Sequence, residues 1–116
     1  MAAPEHSLQV FTVNYLRYHK IFCFAIPNGG RRDIKTGAML KKEGVLAGVA
    51  DLVILLPKAR IIFVELKNGN KGVQSQSQKD FQRMVEGLGF SYLIWRTTQD
   101  CMNFVEGLNG KNEENL

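Results

Sequence analysis

Residues 49–67 have the sequence VADLVILLPKARIIFVELK, which consists of two apolar runs joined by a short connection that contains a proline. Both runs are apolar at nearly every position, which is typical of β-strands that are covered on both faces. Asp51 and Glu65 lie equally far from Lys58, at the centre of the connection. A hairpin with a symmetric register would therefore bring these two carboxylates opposite each other on adjacent strands.

Two opposed carboxylates need a compensating group. Their Cβ atoms would lie about 4.5–5.5 Å apart, where like charges are destabilising, and burial in apolar strands adds a desolvation penalty. Lys67 shares a face with Glu65 and supplies only one positive charge. A hard divalent cation such as Mg²⁺ completes the balance, and the backbone carbonyl of Leu66 is a further candidate ligand. The alternative is a buried ion pair of Lys67 with Glu65 or Asp51 that only specifies the fold.

The rest of the chain predicts helices and strands around this hairpin. Apolar spacings of three and four give the first helix a face that comprises Leu8, Phe11, Tyr15 and Tyr18, and a later helix a side that comprises Phe81, Met84, Val85 and Leu88. The predicted elements are a helix over 5–19, a strand over 21–26, a functional loop with at most one short helical turn over 31–48, strands over 49–56 and 61–66, a helix from Ser75 or Ser77 to Gly87 or Gly89, a strand over 90–96 and a helix from Thr97 or Thr98 to about Leu108. This αβββαβα order predicts an α/β fold.

Composition excludes several classes of protein. The chain has 116 residues, enough for a single domain over 1–116, with a polar tail over 109–116 that we expect to fray. It has neither an apolar run long enough to span a bilayer nor a secretory signal, so we expect a cytoplasmic protein with no membrane partner. The net charge is +4, and 17–42 holds seven Lys or Arg against one Asp. Such clustering favours a polyanionic partner.

Four stretches of the sequence resemble the VRR-NUC family, a branch of the PD-(D/E)xK nuclease superfamily. They are PNGGRR over 27–32, GVADL over 48–52, FVELK over 63–67, and Gln78-Lys79 at the start of a helix that ends near Gly87-Leu88-Gly89. The likeness covers about residues 5–100, so it implies a stand-alone domain with a restriction-endonuclease-like mixed sheet flanked by helices. Ala50 departs from the family, which usually has proline before the aspartate, although alanine tolerates the extended conformation that proline enforces.

The resemblance implies a role for each matching polar residue. Asp51 and Glu65 match the metal-binding acids, and Lys67 matches the catalytic lysine of E-x-K. Glu5 matches the acid of the family's first helix, which reaches the metal directly or through water. Gln78 matches a glutamine expected beside the catalytic residues in a positioning role. The implied reaction is phosphodiester hydrolysis with one or two Mg²⁺ or Mn²⁺ ions and no small-molecule cofactor.

The basic segment supplies the expected nucleic-acid contacts. Its cations fit phosphate contacts that position nucleic acid without reading the base sequence. They are Arg31, Arg32, Lys35, Lys41 and Lys42, and Asn28, Gly29 and Gly30 precede them. The two glycines satisfy a turn with positive φ, or else they offer backbone amides to a phosphate.

These inferences predict a metal-dependent endonuclease that acts on DNA. Symmetric cleavage of two strands by so small a domain needs a two-fold pair of subunits, and stand-alone family members look suited to branched DNA. We therefore expect a homodimer that acts on duplex or branched DNA, with four-way (Holliday) junctions first and flaps next. Two alternatives stay open: an RNA endonuclease, since no identified residue reads the 2′-hydroxyl, and a nucleic-acid-binding module that has lost catalysis.

Overall fold

The computed structural model describes residues 4–27 and 34–114, and the side chains of 5–27 and 36–110. The elements in this part of the chain are α1 (Pro4–Tyr18), β1 (Phe22–Ala25), α2 (Ile34–Lys42), β2 (Leu52–Leu56), β3 (Arg60–Leu66), α3 (Gln76–Gly87), β4 (Ser91–Trp95) and α4 (Thr98–Glu114). No helix among them is both long and apolar enough to cross a membrane.

The four strands form one mixed sheet in the order β1-β2-β3-β4. β1, β2 and β3 pair antiparallel, whereas β4 pairs parallel to β3. The pairing of Leu52 with Val64 and of Leu56 with Arg60 is symmetric about Lys58, so the predicted hairpin register is confirmed. The predicted α/β class, with a mixed sheet flanked by helices, is also confirmed.

α1 and α4 pack together over one face of the sheet and form the larger part of the core with it. Leu8, Thr12 and Leu16, four residues apart, form the buried stripe of α1. The predicted face was partly wrong, because Tyr18 is 82% exposed. A stripe at i, i+4 and i+8 rotates slowly around a helix, so a residue two positions beyond Leu16 points away from the sheet.

α3 covers the opposite face only over β3 and β4. Its Phe81 and Val85 are buried with Tyr92, whereas Met84 and Leu88, which were also predicted on the apolar side, are exposed. Over β1 and β2 this face is covered only in part, because Val53 is buried whereas Phe22, Phe24 and Leu55 are exposed. The expectation that both hairpin strands are covered on both faces is therefore wrong for β2 at Leu55.

Three elements differ from the sequence prediction by more than one residue. α2 spans nine residues within the segment predicted to be a loop with one helical turn. β2 begins at Leu52 rather than at residue 49, so Asp51 lies immediately before the strand. α4 continues to Glu114 instead of ending near Leu108. The fraying of residues 109–116 in solution stays a prediction.

Gly48 fixes the distance between the segment before Asp51 and the first turn of α3. Its φ is +84°, and a Cβ atom at this position would lie 2.3 Å from the backbone oxygen of Ser77 and 2.7 Å from the backbone nitrogen of Gln78. Only glycine allows both this backbone conformation and this approach. The first turn of α3 thus rests directly on the backbone that leads into β2.

We predict that Gly48→Ala lowers the free energy of unfolding by about 3–4 kcal/mol, from backbone strain together with the clash. Gly44→Ala is the matched control, because Gly44 also has a positive φ, +100°, but a Cβ atom there would meet nothing within 4 Å. This control should lower the free energy of unfolding by about 1–2 kcal/mol, because it introduces the backbone strain without the clash. Urea unfolding measures both values, and equal losses would show that contact with α3 is unimportant.

Candidate active site

Asp51 is held between the ends of two strands. Its backbone oxygen accepts a hydrogen bond from the Ile26 amide at 2.9 Å, and its Oδ2 accepts one from the Leu66 amide at 2.7 Å. Since the N–H and C=O of one strand residue point toward the same neighbouring strand, we expect the Leu66 carbonyl to face Asp51 as well. Extending the hairpin register by one residue pairs Asp51 with Glu65. The two predicted acids therefore come together at one end of the hairpin.

Glu65 is a buried carboxylate with one oxygen free of hydrogen bonds. The side chain is 1% exposed, and the hydroxyl of Tyr92 donates a hydrogen bond to Oε1. Oε2 lies 3.6 Å from Lys67 Nζ and has no hydrogen-bond partner within the described part of the chain. A buried carboxylate oxygen normally accepts at least one hydrogen bond. Oε2 therefore has unused capacity to accept a proton donor or to ligate a cation.

Lys67 is oriented by the first turn of α3. Its Nζ donates a 2.9 Å hydrogen bond to Gln78 Oε1, and the same oxygen accepts a 2.8 Å hydrogen bond from the Ser75 amide. Ser75 Oγ accepts in return from the Gln78 amide, which completes a capping box and confirms Ser75 as the helix cap. Gln78 thus links the helix terminus to the lysine ammonium.

The loop after β3 packs on the aliphatic part of Lys67. A Cβ atom on Gly72 would lie 2.9 Å from Lys67 Cβ, so only a residue without a side chain fits against the lysine at this point. Arg96 Nη1 donates 2.7 Å hydrogen bonds to the carbonyl oxygens of Gly69 and Gly72, which braces the loop from β4. Lys67 is consequently buried along its length and held at its tip.

The electrostatic environment of Asp51 disfavours its charged form. Burial raises the pKa of its carboxyl most, and the negative charges of Glu65 and Glu5 raise it further, against the lowering effects of the Leu66 amide and Lys67. Burial and the hydrogen bond to Glu65 likewise raise the pKa of Tyr92, so its hydroxyl stays protonated and can donate. Two neighbouring carboxylates thus oppose the ionisation of Asp51, and one ammonium group favours it.

The described part of the chain has no group of three His, Cys, Asp or Glu side chains close enough to hold an ion among them. Asp51 and Glu65 form a pair, and Glu5 lies exposed in the first turn of α1, near enough for its charge to affect Asp51. Hard oxygen donors beside an unpartnered carboxylate oxygen fit Mg²⁺ or Mn²⁺, with water or a phosphate completing the shell. The metal-binding roles of Asp51, Glu65, Glu5 and the Leu66 carbonyl stay predictions.

A cavity of about 970 Å³, which we name the α2–α3 cavity, reaches the candidate site at Asp51. Asp51 and Gln78 line one part of it, and Lys41 lines another. Of the other predicted nucleic-acid contacts, Lys42 is exposed at the end of α2. Lys35 belongs to α2, but its side chain is not among those that the structure describes. The remaining predicted contacts lie outside the described residues, and they are Asn28, Gly29, Gly30, Arg31 and Arg32.

Two polar residues of the site were missed by sequence reasoning. Tyr92, in β4, donates a hydrogen bond to Glu65. Gln74, which precedes α3, lowers the pKa of Tyr92 against the raising effects of burial and Glu65, and donates to Gln82 Oε1 at 2.9 Å. The contact of Tyr92 depends on the parallel pairing of β4 with β3. A tyrosine within the predicted strand over 90–96 was the available signal, because a phenol that becomes buried needs a hydrogen-bond partner.

We predict that Asp51→Asn stabilises the metal-free protein at neutral pH. A raised pKa means that the fold favours the protonated carboxyl, so this contribution is full below the ordinary value of 3.8 and is lost as the pH rises through the raised pKa. The uncharged amide of Asn does not lose this stabilisation at neutral pH. The difference in the free energy of unfolding between Asp51→Asn and the wild type should therefore shrink toward about pH 4. Urea unfolding in chelator at both pH values measures it.

Asp80→Asn is the control, because Asp80 is exposed on α3. Its effect should stay within about 0.5 kcal/mol at either pH. A metal-free Asp51→Asn protein that is less stable than the wild type at neutral pH would contradict the electrostatic account of Asp51.

Comparison with known proteins identifies the fold. No protein-family profile and no curated protein matches the sequence. Among solved structures, a protein described as a VRR_NUC domain protein superposes with a TM-score of 0.74 at 18% identity, covering 92% of this chain and 88% of that one. A second, described as a VRR_NUC domain, gives a TM-score of 0.67 at 17% identity, covering 90% and 97%. The chain therefore has the fold of a VRR-NUC nuclease domain, as the resemblance of its sequence implied.

Proposed function

We propose that this protein is an endonuclease that hydrolyses phosphodiester bonds in DNA with bound Mg²⁺ or Mn²⁺. The observation that carries the proposal is the buried Oε2 of Glu65, which accepts no hydrogen bond within the described part of the chain and lies near Asp51 and the ammonium group of Lys67. A structural ion pair would be expected to satisfy both carboxylate oxygens, since an unmet buried acceptor is costly. An oxygen left free next to a second acid is instead suited to metal ligation.

Each residue of the site has a distinct part in this mechanism. Asp51 and Glu65 would hold the ion, which polarises the scissile phosphate and lowers the pKa of a bound water. Lys67 donates to phosphate oxygens or to the attacking water, and so stabilises the charge that develops on the phosphoryl group. Gln78 holds the lysine at its tip, so little reorganisation is needed when substrate binds. Glu5 adds negative charge that favours the cation.

The α2–α3 cavity is our candidate path for the nucleic-acid backbone to the carboxylates. It joins Lys41, on α2, to Asp51 and Gln78. Lys35 and Lys42 belong to the same helix, and Asn28, Gly29, Gly30, Arg31 and Arg32 precede it in sequence. A lysine-bearing helix along such a path is suited to sequence-independent phosphate contacts, which make binding weaken as salt rises.

We predict that Lys67→Ala reduces cleavage of labelled DNA in Mg²⁺ by about 10²-fold or more, because it removes a charge that stabilises the transition state. Asp51→Asn and Glu65→Gln should reduce cleavage at least as much, and chelator should abolish it in the wild type. Gel assays measure the rates, and filter binding without metal should show that all variants still bind DNA.

Lys58→Ala is the matched control, because this exposed lysine lies at the hairpin turn, at the far end from the acids. It removes the same charge and should leave cleavage unchanged. Retained DNA binding without cleavage by the wild type, in either metal, would favour a binding module that has lost catalysis. Cleavage of RNA in preference to DNA would overturn the assignment of substrate.

We further propose that the enzyme acts as a homodimer on branched DNA, with four-way junctions as the favoured substrate and flaps next. One domain offers a single pair of acids, so paired incisions need a second copy related by a two-fold axis. β1 is an edge strand of the described sheet, and its exposed Phe22 and Phe24 provide apolar surface for such association.

We predict a mass of two chains in light scattering, and paired symmetric nicks on a four-way junction at a rate above that on linear duplex. The symmetry of the dimer should equalise cleavage of the two opposed strands. Denaturing gels of junctions labelled on each strand in turn measure this. A strict monomer that cuts only single-stranded ends would refute the junction proposal and leave the nuclease proposal intact.

A further inference from the structure

We propose that Tyr92 is a positioning residue that sets the rotation of the Glu65 carboxylate and so prepares Oε2 for the metal. This inference rests on the proposed function, since it concerns the same acid. It assigns to β4, which contributes none of the predicted acids or lysine, a direct influence on metal affinity.

The register of the sheet brings the two side chains together. β3 and β4 pair parallel, with Phe63 opposite Tyr92 and Glu65 opposite Ile94, so Tyr92 and Glu65 are diagonal neighbours on the α3 face. Diagonal neighbours on one sheet face are within reach of an aromatic side chain. The Tyr92 ring is buried and lies edge to face with Phe81 at 6.1 Å, which fixes the position of its hydroxyl.

A single strong donor on Oε1 determines where Oε2 points. The terminal torsion of a glutamate is broad and has no sharp preference of its own, so its hydrogen bonds decide it. Lys67 has less influence on the orientation of the carboxylate, because its Nζ lies 3.6 Å from Oε2 and already donates to Gln78 Oε1. The hydroxyl of Tyr92 is therefore the group that holds one oxygen and leaves the other free.

A polar side chain also acts on the Tyr92 hydroxyl. Burial and Glu65 raise the pKa of the phenol, Gln74 lowers it, and Gln74 Nε2 donates a hydrogen bond to Gln82 Oε1, on α3, at 2.9 Å. The chain of contacts runs from α3 through Gln74 and Tyr92 to the carboxylate, and it is separate from the contact of Gln78 with Lys67. Outer partners of this kind commonly tune the affinity of metal ligands.

The test is calorimetric titration of the full chain with Mn²⁺ alone, in the absence of DNA, for the wild type and for Tyr92→Phe. Loss of the hydroxyl should raise the Kd for Mn²⁺ by about 10-fold, the lower end of the range for a lost outer partner. Tyr15→Phe is the matched control, because it removes a phenol hydroxyl from α1, away from the acids, and should leave the Kd unchanged.

An unchanged Kd in Tyr92→Phe overturns the inference, because a hydroxyl with only a structural role would lower the thermal midpoint and leave metal affinity alone. Should Tyr92→Phe fail to fold by circular dichroism, Gln74→Leu replaces it. That variant removes the polar side chain that acts on the phenol and should weaken Mn²⁺ binding in the same direction, and an unchanged Kd there is equally contradictory. Absence of Mn²⁺ binding by the wild type overturns the proposed function itself, and this inference with it.

Discussion

The fold and the candidate site both depend on the pairing of β2 with β3. Its register is symmetric about Lys58, and extending it by one residue beyond the pair of Leu52 and Val64 aligns Asp51 with Glu65. At this end of the hairpin, the Leu66 amide donates its hydrogen bond to a side-chain oxygen, Asp51 Oδ2, instead of to a backbone oxygen. A slip of one residue would turn the apolar side chains of the hairpin to the wrong faces and separate the two acids.

Around this hairpin, close backbone contacts hold the remaining polar groups. Gly48 lets the first turn of α3 rest on the segment before Asp51, and Gly72 lets the following loop pack on Lys67. The capping residues of α3 then hold the lysine tip through Gln78. These contacts leave the acids and the ammonium little freedom, which is the condition for electrostatic stabilisation of a reaction without reorganisation. This arrangement brings several carboxylates close to a single ammonium group, and a bound cation would offset their repulsion.

Local patterns in the sequence predict the hairpin well, because the residues that determine its register lie in one contiguous stretch. The apolar runs, the central turn and the parity of Asp51, Glu65 and Lys67 are sufficient to derive the register. The capping box of Ser75 and Gln78 is likewise local. The VRR-NUC resemblance added Glu5 and Gln78, and the structure brings Gln78 to Lys67 and leaves Glu5 exposed near Asp51.

Features that depend on tertiary packing were not predictable in the same way. The spacing of apolar residues could not show that Tyr18, Met84 and Leu88 are exposed, because it does not reveal how much of the sheet a helix covers. The helix α2 was not predicted, because its segment is rich in glycine and lysine and it packs against no other described element. Tyr92 reaches Glu65 only through a parallel pairing between segments far apart in sequence.

The central claim is that carboxylates from two neighbouring strands share one divalent cation. Anomalous diffraction from crystals of the wild type soaked in Mn²⁺ tests it most directly. The account predicts one manganese peak within about 2.5 Å of both a carboxylate oxygen of Asp51 and Oε2 of Glu65. Full density for both side chains with no peak between them, or manganese bound only elsewhere on the protein, would contradict it.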